Sequence, residues 1–214
     1  MKLEAIQIRL LEDLKRIKEE ARPLVEKRFS EFKNLGENGT DADLFSELCF
    51  CVLTANWSAQ GGIKAQQVIG PEGFLNLTEA ELEQLLTKLG HRYPKARASY
   101  IVKNRPLAEK LREVIRWEPF AARYWLVQNA WGIGYKEASH FLRNVGVDCL
   151  AILDRHVLKT MLEYGLVNSL PKSLTRKNYL FLEGILKDVA DQFGEPLGKF
   201  DLYLWYLLKG KVEK

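Results

Sequence analysis

Lys136 and Asp154 are the two side chains whose types and spacing suit covalent chemistry, the carboxylate standing eighteen residues after the amine. An amine can attack an electrophilic carbon and, at a carbonyl, form a Schiff base, and a fixed carboxylate can stabilise a cation developing beside it. Each residue also has an ordinary reading. A lysine at a helix start is commonly solvated or in contact with a phosphate. Asp154 has the setting of a helix N-cap, with Leu153 and Leu158 at the N′ and N4 positions of a hydrophobic staple. For the aspartate the two readings agree, because a capping carboxylate is held at the positive end of the helix dipole.

The elements around them must position both groups. Phe120, Tyr124, Val127 and Trp131 recur at helical spacing behind Pro119, a residue suited to the first helical position, so the pattern predicts a helix from about 119 to 130. Ala138, Phe141, Leu142 and Val145 mark a second amphipathic helix that Gly146 can stop. Between them, Gly132 and Gly134 permit positive φ and let backbone N–H groups at the next helix start approach an anion closely. The stretch 119–146 therefore predicts a helix-hairpin-helix with a phosphate as its guest. An ordinary αα-turn would carry the same bare Gly-x-Gly.

With Gly132-Ile133-Gly134-Tyr135-Lys136-Glu137-Ala138 followed by Asp154 and His156, the chain resembles the helix-hairpin-helix DNA glycosylase superfamily. The lysine resembles that of its bifunctional glycosylase/lyases. The runs 53–60 and 89–97, a C-terminal helix bearing Asp201 and Trp205, and the terminal Lys214 extend the likeness over nearly the whole chain. They make it similar to the small prokaryotic 8-oxoguanine DNA glycosylase/AP lyases, the second class of that activity.

The resemblance implies an all-α protein, one unit of two helical lobes over 1–214, with the active site in the cleft between lobes. It implies base excision repair of double-stranded DNA containing 8-oxoguanine or abasic sites, by a monomeric enzyme that needs no cofactor. By the same resemblance Lys136 forms the Schiff base and Asp154 stabilises the sugar cation. Asn56 fills the space left by the flipped base, Tyr93 wedges beside its partner, and His156 contacts a phosphate. Lys214, with the chain's own carboxylate, helps read the lesion. The bland alternatives are a helix cap for Asn56, core packing for Tyr93, a surface position for His156 and a frayed tail for Lys214. Asp201 and Trp205 lie four residues apart on one helix face, where an indole can stack on a purine and a carboxylate can accept hydrogen bonds from it. Trp205 as one more core aromatic fits the spacing equally. His140, one turn after Lys136, is a further base-recognition candidate.

Composition narrows the class. The chain has 214 residues, 47% hydrophobic, enough to bury a substantial core, and no apolar run long enough to span a membrane. The charged N-terminus is unlike a signal peptide, so a cytoplasmic, nucleoid-associated enzyme is expected. A net charge of +4 says little by itself, but from Gln84 to Ala108 every charge is positive: Lys88, Arg92, Lys95, Arg97, Lys103 and Arg105. Such a stretch is expected either in water or against phosphates, and Arg92 is taken as a DNA contact. Cys49 and Cys51 lie in an apolar, buried-looking run and Cys149 stands alone. The four clustered cysteines of an iron–sulfur glycosylase are missing, so neither a metal site nor a disulfide is expected.

Elsewhere the pattern is helical. Leu3, Ile6, Leu10, Leu14, Ile17 and Ala21 predict a first helix that Pro23 bends or ends. Thr78 and Glu81 form a capping-box pattern, with Gly90 closing the helix they start. Further helices are expected near 95–116, interrupted at Pro106, and over 154–164, 175–193 and 198–209. Two rival functions remain open from sequence: a glycosylase/lyase for another oxidised base, and a non-enzymatic helix-hairpin-helix DNA-binding module that would not need both Lys136 and Asp154.

Overall fold

The computed structural model describes residues 2–212 and 214, with side chains from residue 9 onward. Among the described residues all regular structure is helical. The order is α1 (Lys2–Asn38), α2 (Asp41–Thr54), α3 (Ala59–Asn76), α4 (Glu79–Lys88), α5 (Pro94–Asn104), a 3-10 turn (Arg105–Leu107), α6 (Ala108–Val114), α7 (Pro119–Asn129), α8 (Tyr135–Asn144), α9 (Arg155–Glu163), α10 (Arg176–Phe193) and α11 (Leu197–Lys209). None of these helices is long and apolar enough to cross a membrane.

The chain divides into two compact units, one made of 32–146 and the other of the two chain ends, 1–31 and 147–214. The first unit is built around α2, in which every residue from Leu44 to Thr54 is buried. This is the apolar run containing Cys49 and Cys51, and α3, α5, α6 and α8 pack on it. One acid lies within this apolar surround. Glu47 accepts hydrogen bonds from Asn144 Nδ2 at 2.6 Å and Gln66 Nε2 at 3.3 Å, so its carboxylate is partnered where an unpaired charge would be costly. In the second unit, Lys18 donates to the Phe193 carbonyl at 2.9 Å and Tyr164 donates to Asp13 at 2.8 Å, tying α1 to α10 and to the end of α9.

Pro23 does not end α1, which runs on to Asn38. The proline and Glu19, whose carbonyl loses its usual N–H partner, both face water. Ala21, Val25, Phe29 and Phe32 meanwhile keep the buried stripe unbroken. Burial of such side chains contributes about 1.5–3 kcal/mol each, which outweighs a proline cost of about 3 kcal/mol. Leu3 and Ile6, at the start of the predicted stripe, lie outside the described side chains.

Candidate active site

The hairpin forms where the pattern places it, and long-range contacts hold its turn. Glu118 caps α7 by accepting the Ala121 N–H at 2.8 Å, with Pro119 at the first helical position. Beyond α7 the buried Asn104 grips the peptide of Trp131 from both sides, donating to its carbonyl at 3.0 Å and accepting its N–H at 2.7 Å. Gly132 then turns the chain at φ 76°, and a Cβ there would lie 2.6 Å from the Tyr100 ring. Both the backbone conformation and the close approach demand glycine.

Gly134 does not use the positive φ open to a glycine. Its φ of −99° is ordinary extended backbone, so it is not a positive-φ position. It is the N-cap of α8, and its N–H is accepted by the Glu137 carboxylate at 3.2 Å. A phosphate gripped here would therefore rely on the first-turn amides of α8, which lack intrahelical acceptors. Lys136 is the second residue of α8 and is half-buried, while Ala138, Phe141 and Leu142 bury the helix's apolar face. Trp131 beside the turn is 54% exposed, with Lys103 Nζ 4.5 Å from its ring centroid.

Asp154 is placed within the other unit by a different device. Residues 150–153 run without helix, buried side chain after side chain, into the start of α9. Tyr179 of α10 reaches across with its hydroxyl, donating to the Ala151 carbonyl at 2.7 Å and accepting the Leu153 N–H at 3.2 Å. Glu183, one turn later, accepts the Ala151 N–H at 3.1 Å. Asp154 follows as the N-cap, with Oδ1 accepting the Val157 N–H at 2.8 Å. The other carboxylate oxygen retains acceptor capacity beyond the cap. His156 lies edge-on to Trp205, ring centroids 5.5 Å apart, so these two candidates meet. Trp205 is half-buried, hence not a core aromatic, whereas Asp201 one turn before it is buried. Gly210 ends α11 in the left-handed conformation at φ 69°, and Lys214 beyond it is half-buried. His140 belongs with the first unit's core, its ring edge-on to Phe50 at 5.6 Å.

A third cluster lies at the end of α2. Asn56 adopts φ 67° and is exposed; among the described residues no other non-glycine has positive φ. Such a conformation costs on the order of 1 kcal/mol and tends to mark functional turns. Tyr93 is the N-cap of α5 and 42% exposed, which rules out core packing, and the exposed Arg92 holds its guanidinium 5.1 Å from the Tyr93 ring centroid. The basic stretch does not act as one surface. Arg97 turns inward to donate to the Ala55 carbonyl at 2.7 Å, and Arg105 donates to the carbonyls of Phe74, at 2.9 Å, and Leu77. Lys88, Arg92, Lys95 and Lys103 remain exposed. Among the described residues no group of three or more His, Cys, Asp or Glu is gathered in a way that could hold a metal ion.

The family model described as 8-oxoguanine DNA glycosylase matches residues 25–195. The chain belongs to that family. A relative from Thermotoga sp. strain RQ2, an 8-oxoguanine DNA glycosylase/AP lyase, is 61% identical over 205 residues, covering 96% of this chain and 99% of its own. The crystal structure of the 8-oxoguanine DNA glycosylase of Thermotoga maritima superposes with a TM-score of 0.95 at 60% identity, covering 97% of this chain and 100% of that one. The Methanocaldococcus jannaschii 8-oxoguanine glycosylase/lyase, solved in complex with a 15mer DNA containing 8-oxoguanine, superposes with a TM-score of 0.92 at 45% identity over 96% of this chain and 99% of that one.

In this member of the 8-oxoguanine DNA glycosylase family, sequence reasoning missed the residues that hold the site. Asn104 gave a weak signal, an asparagine just before a helix-breaking Arg105-Pro106. Tyr179 and Glu183 gave none, because their partners lie 26 and 32 residues away, and His91, though inside the run 89–97, gave no sign of its bond to Leu53, 38 residues away.

Proposed function

We propose that the chain excises 8-oxoguanine from DNA and cleaves the strand at the resulting abasic site. The observation that carries this reading is the near full-length likeness to 8-oxoguanine DNA glycosylase/AP lyases, 61% identical in the first case. The Lys136 amine attacks C1′ of the damaged nucleotide, and the base leaves with the glycosidic electron pair and takes up a proton. Asp154, anchored by its own cap, stabilises the cationic sugar. The ring-opened Schiff base then loses a C2′ proton, and the 3′ phosphate departs by β-elimination.

The first-turn amides of α8, Gly132 and Gly134 at the hairpin, Arg92 and His156 would contact the DNA backbone. Asn56 and Tyr93 would hold the vacated stack open while the base is out. Trp205 offers a stacking face, Asp201 offers a carboxylate to a purine whose N1–H and exocyclic amine are adjacent donors, and His140 and Lys214 offer further polar contacts. The protein would act as a cytoplasmic, nucleoid-associated monomer. Borohydride trapping on oligonucleotides bearing 8-oxoguanine, an oxidised pyrimidine or a pre-formed abasic site tests the reading. The expected result is an adduct with the first and third. Preference for the oxidised pyrimidine would reassign the lesion, and binding without any adduct would leave a DNA-binding module.

A further inference from the structure

We propose that His91 is a positioning residue that locks together the two turns carrying Asn56 and Tyr93, so that base extrusion depends on it. The inference rests on the proposed roles of those two residues. His91 is buried, and both ring nitrogens are engaged. Nε2 lies 2.9 Å from the Leu53 carbonyl near the end of α2, and Nδ1 lies 3.0 Å from the backbone N of Tyr93. The Tyr93 amide can only donate and the Leu53 carbonyl can only accept. The neutral tautomer with its proton on Nε2 therefore fits both at once, and the imidazolium fits only the carbonyl.

The imidazole also packs on the Trp57 indole, centroids 4.5 Å apart, immediately after Asn56. Arg97 adds a second tie by donating to Ala55, so the carbonyls of Leu53 and Ala55, flanking the start of the Asn56 turn, are both held from the segment that carries Tyr93. Asn56 stands in an unfavourable backbone conformation, and Tyr93 projects as an exposed ring from a helix start without a side-chain cap of its own. Neither turn is rigid by local preference. The histidine supplies the shared anchor that sets the distance between the group filling the gap and the group wedging the partner base.

Three variants dissect the link. His91→Phe keeps the packing on Trp57 and loses both hydrogen bonds. His91→Asn places an acceptor where Nδ1 was, and His91→Gln places a donor where Nε2 was. Single-turnover rates are measured on a duplex with 8-oxoguanine, which must be unstacked, and on a duplex with a pre-formed abasic site, which offers no base to extrude. 2-Aminopurine beside the lesion reports unstacking directly. His91→Phe should slow 8-oxoguanine excision by roughly 10- to 100-fold and lower the 2-aminopurine signal, with abasic-site cleavage changed by no more than about twofold. His91→Asn should recover more excision than His91→Gln, because it keeps the bond to Tyr93.

A folded His91→Phe with an unchanged ratio of the two rates, or one slowed equally on both substrates, would overturn the proposal. If His91→Phe fails to fold, the Asn and Gln variants decide, and equal rates for them would overturn it. Absence of any borohydride adduct with the wild-type protein would instead strike the lyase reading, while 2-aminopurine unstacking would still test the histidine.

Discussion

Lys136 and Asp154 both sit at helix starts, yet the two helices begin in opposite ways. At α8 the cap is made by others: Gly134 gives the backbone and Glu137 the carboxylate, leaving the Lys136 side chain with no part in starting the helix. At α9 Asp154 is itself the cap, and the segment before it is held by Tyr179 and Glu183. On the proposed roles, the amine is kept free of structural duty, whereas the carboxylate gains its orientation from such duty. Mutations should therefore separate activity from stability cleanly at one helix and less cleanly at the other.

The largest expected effect is at Lys136. Lys136→Gln should remove base release, strand cleavage and borohydride trapping together, while thermal stability stays within about 0.5 kcal/mol and DNA binding is largely kept. Electrophoretic binding beside single-turnover assays checks it, and a large loss of stability would break the contrast between the two helices.

Asp154→Asn comes next. Asparagine also caps well, so the melting temperature should hold, but excision should slow by roughly 100- to 1000-fold because a neutral amide stabilises a sugar cation poorly. Asp154→Ala should add a stability loss of about 1 kcal/mol on top of the same rate loss. If Asp154→Asn melts early but works normally per folded molecule, the carboxylate is structural only.

Tyr179→Phe acts on the segment that leads into Asp154. It strips the Ala151 carbonyl and the Leu153 N–H of a buried partner, so denaturation should show a loss of about 1–3 kcal/mol. Excision should fall as well, through the displaced aspartate. A smaller effect is expected at Lys214, where Lys214→Ala should impair 8-oxoguanine excision more than cleavage at a pre-formed abasic site. Equal rates on both substrates would return the tail to a bystander.

The smallest effect is on pH. Burial, with the Arg97 charge adding to it, pushes the His91 imidazole below its ordinary value of 6.5, and the bond to Leu53 only partly opposes this. Between the lowered value and 6.5 the unfolded chain binds a proton that the folded chain does not, so the folded state loses stability as pH falls through that window and is unaffected above it. Melting curves from neutral to mildly acidic pH should show the decline, and His91→Phe should flatten part of it.

What the sequence made legible was local. Thr78 with Glu81, Pro119, Gly146 and Asp154 each announce a helix boundary within a few residues, and the structure has all four boundaries there. The helices expected over 119–130, 154–164, 175–193 and 198–209 likewise match α7, α9, α10 and α11 closely. The errors came where one residue type serves two physical ends. Gly134 makes no use of the positive φ that a glycine permits, and Arg97 and Arg105 look like phosphate contacts in a list of charges but close off carbonyls in space. Pro23 was expected to bend or end the first helix, and of these the ending does not occur, because the proline faces water. The clamps of Asn104 on Trp131 and of Tyr179 on residues 151 and 153 join segments 26 to 28 residues apart, and no spacing rule reaches that far.

On the proposed function, the Lys136 amine forms the covalent bond to the damaged nucleotide's sugar. Borohydride reduction during turnover of an 8-oxoguanine duplex, followed by proteolysis and mass spectrometry of the cross-linked peptide, tests it directly. The expected result is a sugar adduct on the peptide containing Lys136 and none for Lys136→Gln. An adduct on any other lysine, or an undiminished adduct in Lys136→Gln, would contradict it.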